Sequence, residues 1–333
     1  MRDYTAESAR LRALCSDLLQ KGAVDLILAW TSGPGLTARE AIIAKGSKET
    51  ERIVWSPFCT SSTATLFKRN RANLQGKKLG FVVKDCDLRA LNVLMQEYLI
   101  KRENVVLIGV RCDGLADAGQ FPGASSAAKV SSDARGVQVD GKSAPWEQFG
   151  YTACQSCSYD NMNADHIVGE YGRKKSAGEW EHVARLQGLP PHKRREHFEE
   201  LFSKCIRCYA CREVCPVCAC IECAIDPGER CITPRTTPLE KISAPNWACR
   251  GRQLTENAVY LLTRSMHMAG RCVRCGWCER ACPVGLPLMD LLDMVNANVL
   301  SVYKYETGLD ISSPPFLAKF SDEDPNDKGG GHQ

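Results

Sequence analysis

The sequence predicts an α/β domain with a mainly parallel sheet, then a small α+β, largely irregular domain built on cysteine loops, and last an extended tail. Three observations lead there. Short apolar runs alternate with amphipathic helical patterns over the first half of the 333 residues, as in sheets crossed by helices. Two twelve-residue cysteine runs repeat each other in the second half. The final stretch is rich in Pro, Gly and Asp and cannot build a core of its own. The predicted boundaries are 1–175 for the α/β part, 176–204 for a charged helical linker, 205–300 for the cysteine domain and 301–333 for the tail.

Leu11, Leu14, Leu18 and Leu19 share one face of a helix over residues 4–21, with Thr5 or Ser8 as N-cap and Gly22 at its end. Residues 24–30 read as a buried strand. Thr31-Ser32-Gly33-Pro34-Gly35 follows and opens into a predicted helix over 36–45. Strand, glycine-rich turn and helix form the setting in which helix N-termini hold phosphates. Gly33 and Gly35 are therefore candidate flavin-phosphate contacts, with a plain tight turn as the preferred reading. Further strands are predicted at 52–55, 78–83 and 104–109, and helices at 62–73 and 88–101. Asp140-Gly141 after Val137-Gln138-Val139 marks a hairpin.

Cys59, Cys86 and Cys112 each follow one of those strands. Parallel sheets build their sites beyond the carboxyl ends of strands. Cys154 and Cys157 form a C-x2-C soon after. Separate buried thiols are the plain alternative, but repeated placement after strands favours a metal site drawn from these five. Residues 171–203 are charged and helix-prone, and His192 and His197 are expected to face solvent.

The repeated runs are Cys205-Ile206-Arg207-Cys208-Tyr209-Ala210-Cys211-Arg212-Glu213-Val214-Cys215-Pro216 and Cys272-Val273-Arg274-Cys275-Gly276-Trp277-Cys278-Glu279-Arg280-Ala281-Cys282-Pro283. Both read C-x2-C-x2-C-x3-C-P, the bacterial ferredoxin spacing for [4Fe–4S] clusters. Three close cysteines wrap one cluster and the fourth, ahead of a turn-breaking proline, reaches the other. The expected ligands are thus crossed: Cys205, Cys208, Cys211 and Cys282 for one cluster, and Cys272, Cys275, Cys278 and Cys215 for the second. A zinc site needs neither the third cysteine nor the C-P ending. Between the runs lie 56 residues (216–271) holding Cys218, Cys220, Cys223, Cys231 and Cys249. These five could reinforce the cluster loops, form an additional metal site or cap the clusters from solvent; spacing does not select among these. A helix is expected at 255–269, with Met266 and Met268 serving packing, and another at 286–299. The tail is expected either to be disordered or to lie as an extended arm on a partner subunit, and Tyr303, Tyr305, Phe316 and Phe320 tilt the reading toward the arm.

Nineteen cysteines exceed what buried-thiol packing requires, and an odd count argues against a disulfide framework. The charged first residues lack a signal peptide's apolar core, and no stretch approaches the about eighteen apolar residues of a membrane span. A cytoplasmic location, where thiols stay reduced, is expected. A net charge of +4 does not point to nucleic acid.

Residues 50–170 resemble the beta-subunit family of coenzyme F420-reducing hydrogenases and F420-linked formate dehydrogenases. The resemblance rests on Val83-Lys84-Asp85-Cys86-Asp87-Leu88-Arg89-Ala90-Leu91, Gly109-Val110-Arg111-Cys112, Cys154-Gln155-Ser156-Cys157 and Ala164-Asp165-His166-Ile167-Val168-Gly169-Glu170. Two departures stand out: Val83-Lys84-Asp85 replaces the family's Gly-Thr-Pro, and the aspartate after the C-x2-C is one residue late, at Asp160. The resemblance implies a third [4Fe–4S] cluster on four of Cys59, Cys86, Cys112, Cys154 and Cys157. It implies an electron-transfer subunit without chemistry of its own, relaying single electrons between partners: a formate dehydrogenase, a hydrogenase or a heterodisulfide reductase-like flavoprotein. The alternative is a subunit with its own FAD that exchanges hydride with a carrier such as F420.

Overall fold

A computed structural model describes residues 1–149, 151–159, 163–173, 180–220, 223, 225 and 253–318. The chain forms two compact units. The first comprises Met1–Glu179 with Val273–Gly276 and Thr307–Pro314; the second comprises Trp180–Cys272, Trp277–Glu306 and the chain from Pro315 on.

In the first unit a short strand β1 (Arg2–Asp3) leads directly into α1 (Tyr4–Gln20). Asp3, not Thr5 or Ser8, is the N-cap: its carboxylate accepts from the backbone N–H of Thr5 and Ala6, satisfying donors the first turn leaves open. The main sheet contains β2 (Leu26–Ser32), β3 (Ala38–Ala44), β4 (Leu79–Val83), β5 (Val105–Val110) and β9 (His166–Val168), in the order β3-β2-β4-β5-β9. Pairing is parallel from β2 through β9, and β3 is an antiparallel edge. Every residue of β4 is buried, as expected of a strand covered on both faces. Helices α2 (Thr63–Leu74) and α3 (Asp85–Gln96) flank β4 in sequence. A second, antiparallel sheet joins β1 to β6 (Val130–Ser132), β7 (Gly136–Val139) and β8 (Lys142–Pro145). Asp140 and Gly141, both at positive φ, turn the β7–β8 hairpin as the sequence predicts.

Two elements differ from expectation. The segment 36–45 contains β3 (Ala38–Ala44) in place of the expected helix. Gly33 N–H donates to the Thr37 carbonyl at 2.9 Å, closing a hairpin that sets Trp30 opposite Glu40 and Ile27 opposite Ile43. Pairing with an apolar strand overrides local helix propensity here. Residues 52–55 form no strand. Arg52 ends a 3₁₀ turn, Lys48–Arg52, and Ile53 makes only an isolated bridge to Thr31. Trp55 instead packs against Trp30, ring centroids 5.7 Å apart.

The second unit is helical: Glu181–Gly188, Pro191–Ser203, Leu254–His267 and Leu288–Tyr303, with single turns at Ala210–Glu213 and Trp277–Arg280. The charged linker is thus two packed helices. His192 is exposed, but His197 Nε2 lies 2.9 Å from Asp290 Oδ2, and His182 pairs with Asp293 at 3.0 Å. Met268 is buried and Met266 exposed. The start of the tail also departs from the expected arm, because α3 receives it within the first unit. Asn92 Nδ2 donates to the Gly308 carbonyl at 2.8 Å and Gln96 Nε2 to the Asp310 carbonyl at 2.7 Å. Phe320 lies outside the described residues. Among the described residues no helix is long and apolar enough to cross a membrane.

Candidate metal centres

The two cysteine runs share one backbone pattern. In the first, Arg207 and Tyr209 adopt positive φ (58° and 60°); in the second, Arg274 and Gly276 do (52° and 65°). Each pair brackets the run's second cysteine. Left-handed backbone at a non-glycine residue costs about 1–2 kcal/mol, so three such residues at matched positions mark a loop held for a purpose. Alternating right- and left-handed residues turn successive N–H groups into one concavity, a form suited to anionic groups. A one-turn helix follows in both runs, Ala210–Glu213 and Trp277–Arg280.

Within the second unit, Cys205, Cys208, Cys211 and Cys282 line one cavity with Tyr260, Leu261, Leu286 and Leu288. Three sulfurs thus come from the first run and the fourth from the end of the second. The Leu286 N–H donates to Cys282 Sγ at 3.4 Å, and Tyr260 Oη is 3.8 Å from Cys211 Sγ. Asn257, fully buried on the Leu254–His267 helix, donates from Nδ2 to the Cys205 and Phe202 carbonyls at 2.8 and 2.9 Å. Arg207 stacks over the Tyr260 ring, 4.5 Å from its centroid. Burial raises the Cys205 thiol above its ordinary value.

Cys215, Cys272 and Cys278 are buried in the same unit. Arg264, also buried, donates from Nη2 to the Cys211 carbonyl at 3.1 Å. Cys218 is pushed up to about 11, first by burial and then by Cys215. Cys223 and Cys220 add to that effect. Cys231 and Cys249 lie outside the described residues.

In the first unit, Cys86, Cys112, Cys154 and Cys157 line a second cavity together with Lys84, Asp85, Asp113, Arg274 and Cys275. The sheet supplies the placement. Cys86 opens α3 just beyond β4, Cys112 follows β5, and the other two belong to the turn around Thr152–Gln155. Arg173 Nη2 secures the Cys154 carbonyl at 3.3 Å. Burial and then the Asp87 charge raise the Cys86 thiol well above its ordinary value, with Cys275 and Cys112 adding to the rise. Cys59 does not join them. Its sulfur lies 3.6 Å from the Val54 carbonyl in the hydrophobic core, and burial pushes its thiol up to about 11. Cys15 is likewise a core residue.

Two participants carried no sequence signal as such. Lys84, buried against this cavity, donates to the Cys59 and Ser61 carbonyls at 3.1 and 2.6 Å. Cys275, which spacing assigns to its own run alone, lines this cavity too. Its presence beside Cys86 depends on tertiary placement, which spacing does not encode.

Gly33 and Gly35 belong to the β2–β3 hairpin, so no helix N-terminus stands behind them. Gly35 has φ +59°, and a Cβ at Gly33 would press on Thr37; the turn itself accounts for both. Gly35 also borders a cavity of about 180 Å³ with Arg12, Ser32, Thr37 and Ser126.

Each cavity gathers at least four cysteines from separate segments, a donor set that suits a cube-shaped iron–sulfur cluster, whose corners hold their thiolates apart. Among the described residues no three Cys, His, Asp or Glu side chains gather as a single-ion site. Residues 267–287 match the 4Fe-4S binding domain family, so the chain carries at least one such cluster. The chain is 23% identical to the F420-dependent formate dehydrogenase subunit beta of Methanocaldococcus jannaschii, over 92% of this chain and 93% of that subunit. It is 24% identical to the F420-dependent formate dehydrogenase 1 subunit beta of Methanococcus maripaludis, over 64% of this chain and 72% of that subunit. The resemblance read from the cysteine motifs therefore extends along nearly the whole sequence.

Proposed function

We propose that this chain is the iron–sulfur electron-transfer subunit of a multisubunit oxidoreductase and holds three [4Fe–4S] clusters. Cys205, Cys208, Cys211 and Cys282 hold the first; Cys272, Cys275, Cys278 and Cys215 the second; Cys86, Cys112, Cys154 and Cys157 the third. What carries the reading is the pair of cavities lined by five and by four cysteines, each assembled from segments far apart in sequence. Clusters held by these residues would supply one-electron transfer, at potentials set by net charge, hydrogen bonds to sulfur and exposure. The protein's part is to fix those terms. Tyr260 and the Leu286 N–H face sulfurs of the first site, and the buried Lys84 charge borders the third. Cys275 belongs to the second run and also lines the third cavity.

The partners are the catalytic subunits of a formate dehydrogenase, a hydrogenase or a heterodisulfide reductase-like flavoprotein, the first class being the one to which the relatives belong by name. Nineteen cysteines suit a reducing compartment such as the cytoplasm.

A second reading has one specific support, the F420 dependence in the relatives' names: a subunit with its own FAD that exchanges hydride with such a carrier. Against it, the cavity beside Gly35 measures about 180 Å³, below the roughly 300–1,000 Å³ usual for small-molecule sites. Anaerobic purification with iron, sulfide and flavin quantitation separates the readings. Three clusters without flavin support the relay, and one flavin per chain supports the alternative. Zinc without acid-labile sulfide would overturn both.

A further inference from the structure

The insert between the runs contributes the Leu254–His267 helix, and one of its residues stands out. Arg264 is only 3% exposed. Its one hydrogen bond among the described residues runs from Nη2 to the Cys211 carbonyl, and its Nε is buried without a partner. No carboxylate pairs with it among those residues. A buried guanidinium without a counter-ion is costly, so something anionic must balance it. Among the described residues, the ionisable groups near enough to act on its charge are Cys211, Cys278, Cys215, Tyr260 and Cys218. Cys211 belongs to the first proposed cluster, Cys215 and Cys278 to the second.

We propose that Arg264 is a fixed positive charge shared by the two clusters of the paired runs, where it raises both reduction potentials and lets both sites hold an electron together. The inference rests on the cluster assignment above. A cluster with four thiolate ligands is anionic and gains one more negative charge on reduction. A cation beside it stabilises the reduced form more than the oxidised one, raising the potential. Placed near sulfurs of both sites, the same cation offsets the repulsion between two reduced neighbours. Tyr260 contributes a neutral hydroxyl at Cys211, whereas Arg264 contributes a permanent positive charge. Guanidinium stays protonated throughout the accessible pH range, so the effect does not titrate.

The test compares Arg264→Gln and Arg264→Lys in the full chain, by iron and sulfide analysis and EPR-monitored redox titration. With native iron content, Arg264→Gln is expected to lower the reduced-to-oxidised ratio of both clusters at least tenfold at fixed poise, a shift of about 59 mV for a one-electron couple. Arg264→Lys keeps the charge and is expected to stay near the native potentials. Native potentials in Arg264→Gln, or an equal shift in Arg264→Lys, would overturn the proposal. If Arg264→Gln retains no cluster while Arg264→Lys assembles and titrates natively, the charge requirement stands. If both fail alike, the guanidinium shape is what matters and the proposal falls. Failure of the cluster reading is seen separately, as missing iron and sulfide in the native chain.

Discussion

Lys84 Nζ stands 2.9 Å from Asp87 Oδ2, with the two side chains 2% and 3% exposed. The pair caps the start of α3, where the Lys84 N–H also donates to Asp87. The ammonium packs over Trp30 at 4.0 Å. Burial disfavours the lysine charge, but Asp87 and the nearby cysteines outweigh it and hold its pKa above the ordinary value. Removing one partner strands the other charge in the core, so Lys84→Met is expected to destabilise the first unit by about 3–5 kcal/mol. Lys84→Met with Asp87→Leu should regain most of that loss. Denaturant unfolding followed by tryptophan fluorescence reads both. A single variant as stable as the native chain would mean that the pair contributes nothing.

Gly308 brings the tail onto α3. It has φ +67°, and a Cβ there would collide with the Arg89 backbone carbonyl. Arg89 Nη1 donates to the adjacent Thr307 carbonyl at 3.3 Å. Gly308→Val adds left-handed strain of about 1–2 kcal/mol and should release this segment. Trypsin is then expected to cut after Lys304 roughly 5–30 times faster, the factor those energies imply. Unchanged cleavage would show that the segment is held elsewhere.

What the sequence revealed, and what it did not, follows from the range of each signal. The repeated cysteine spacing is local chemistry and marked both runs without help from the fold. Strand–helix alternation marked β2, β4, β5 and α3 because their apolar patterns are strong. It failed at residues 36–45, where Ala and Glu carry helix propensity but pairing with β2 decides. Cys59 looked like a ligand because it follows an apolar stretch, yet that stretch is no strand and the sulfur turns inward. Cys275 beside Cys86, and Arg264 beside Cys211 and Cys278, are meetings across long sequence separations that no periodicity records. The tail shows the same limit. Its composition excluded a core of its own, but not the amide donors Asn92 and Gln96 that receive it.

Two core thiols make the first unit sensitive to alkali. Burial pushes Cys15 up to about 12 and Cys59 up to about 11, against an ordinary 9.0. Below pH 9 both are protonated folded or unfolded, and their contribution is constant. Between pH 9 and 11–12 the unfolded chain loses these protons first. Stability should therefore fall as pH rises through that window. Cys15→Ala with Cys59→Ala should flatten the decline, read as the denaturant midpoint at pH 8 and pH 10.5. An equally steep decline in the double variant would assign the loss to other groups.

The crossed arrangement of the paired runs makes a sharper demand than a count of clusters. Cys282 ends the second run but lines a cavity with Cys205, Cys208 and Cys211, and its sulfur receives the Leu286 N–H. If it completes the first cluster, Cys282→Ala and Cys205→Ala should abolish the same EPR signal and each remove up to about four irons. Cys272→Ala should remove a different signal. An uncrossed arrangement makes the opposite demand: Cys282→Ala and Cys272→Ala would then share a signal, although both lie in one run and only one faces this cavity. Cys59→Ala supplies the control. Its sulfur contacts only core groups, so it should retain all its iron and lose only about 1 kcal/mol of stability. Loss of a cluster in that variant would return Cys59 to the third site and displace one of Cys86, Cys112, Cys154 and Cys157 from it.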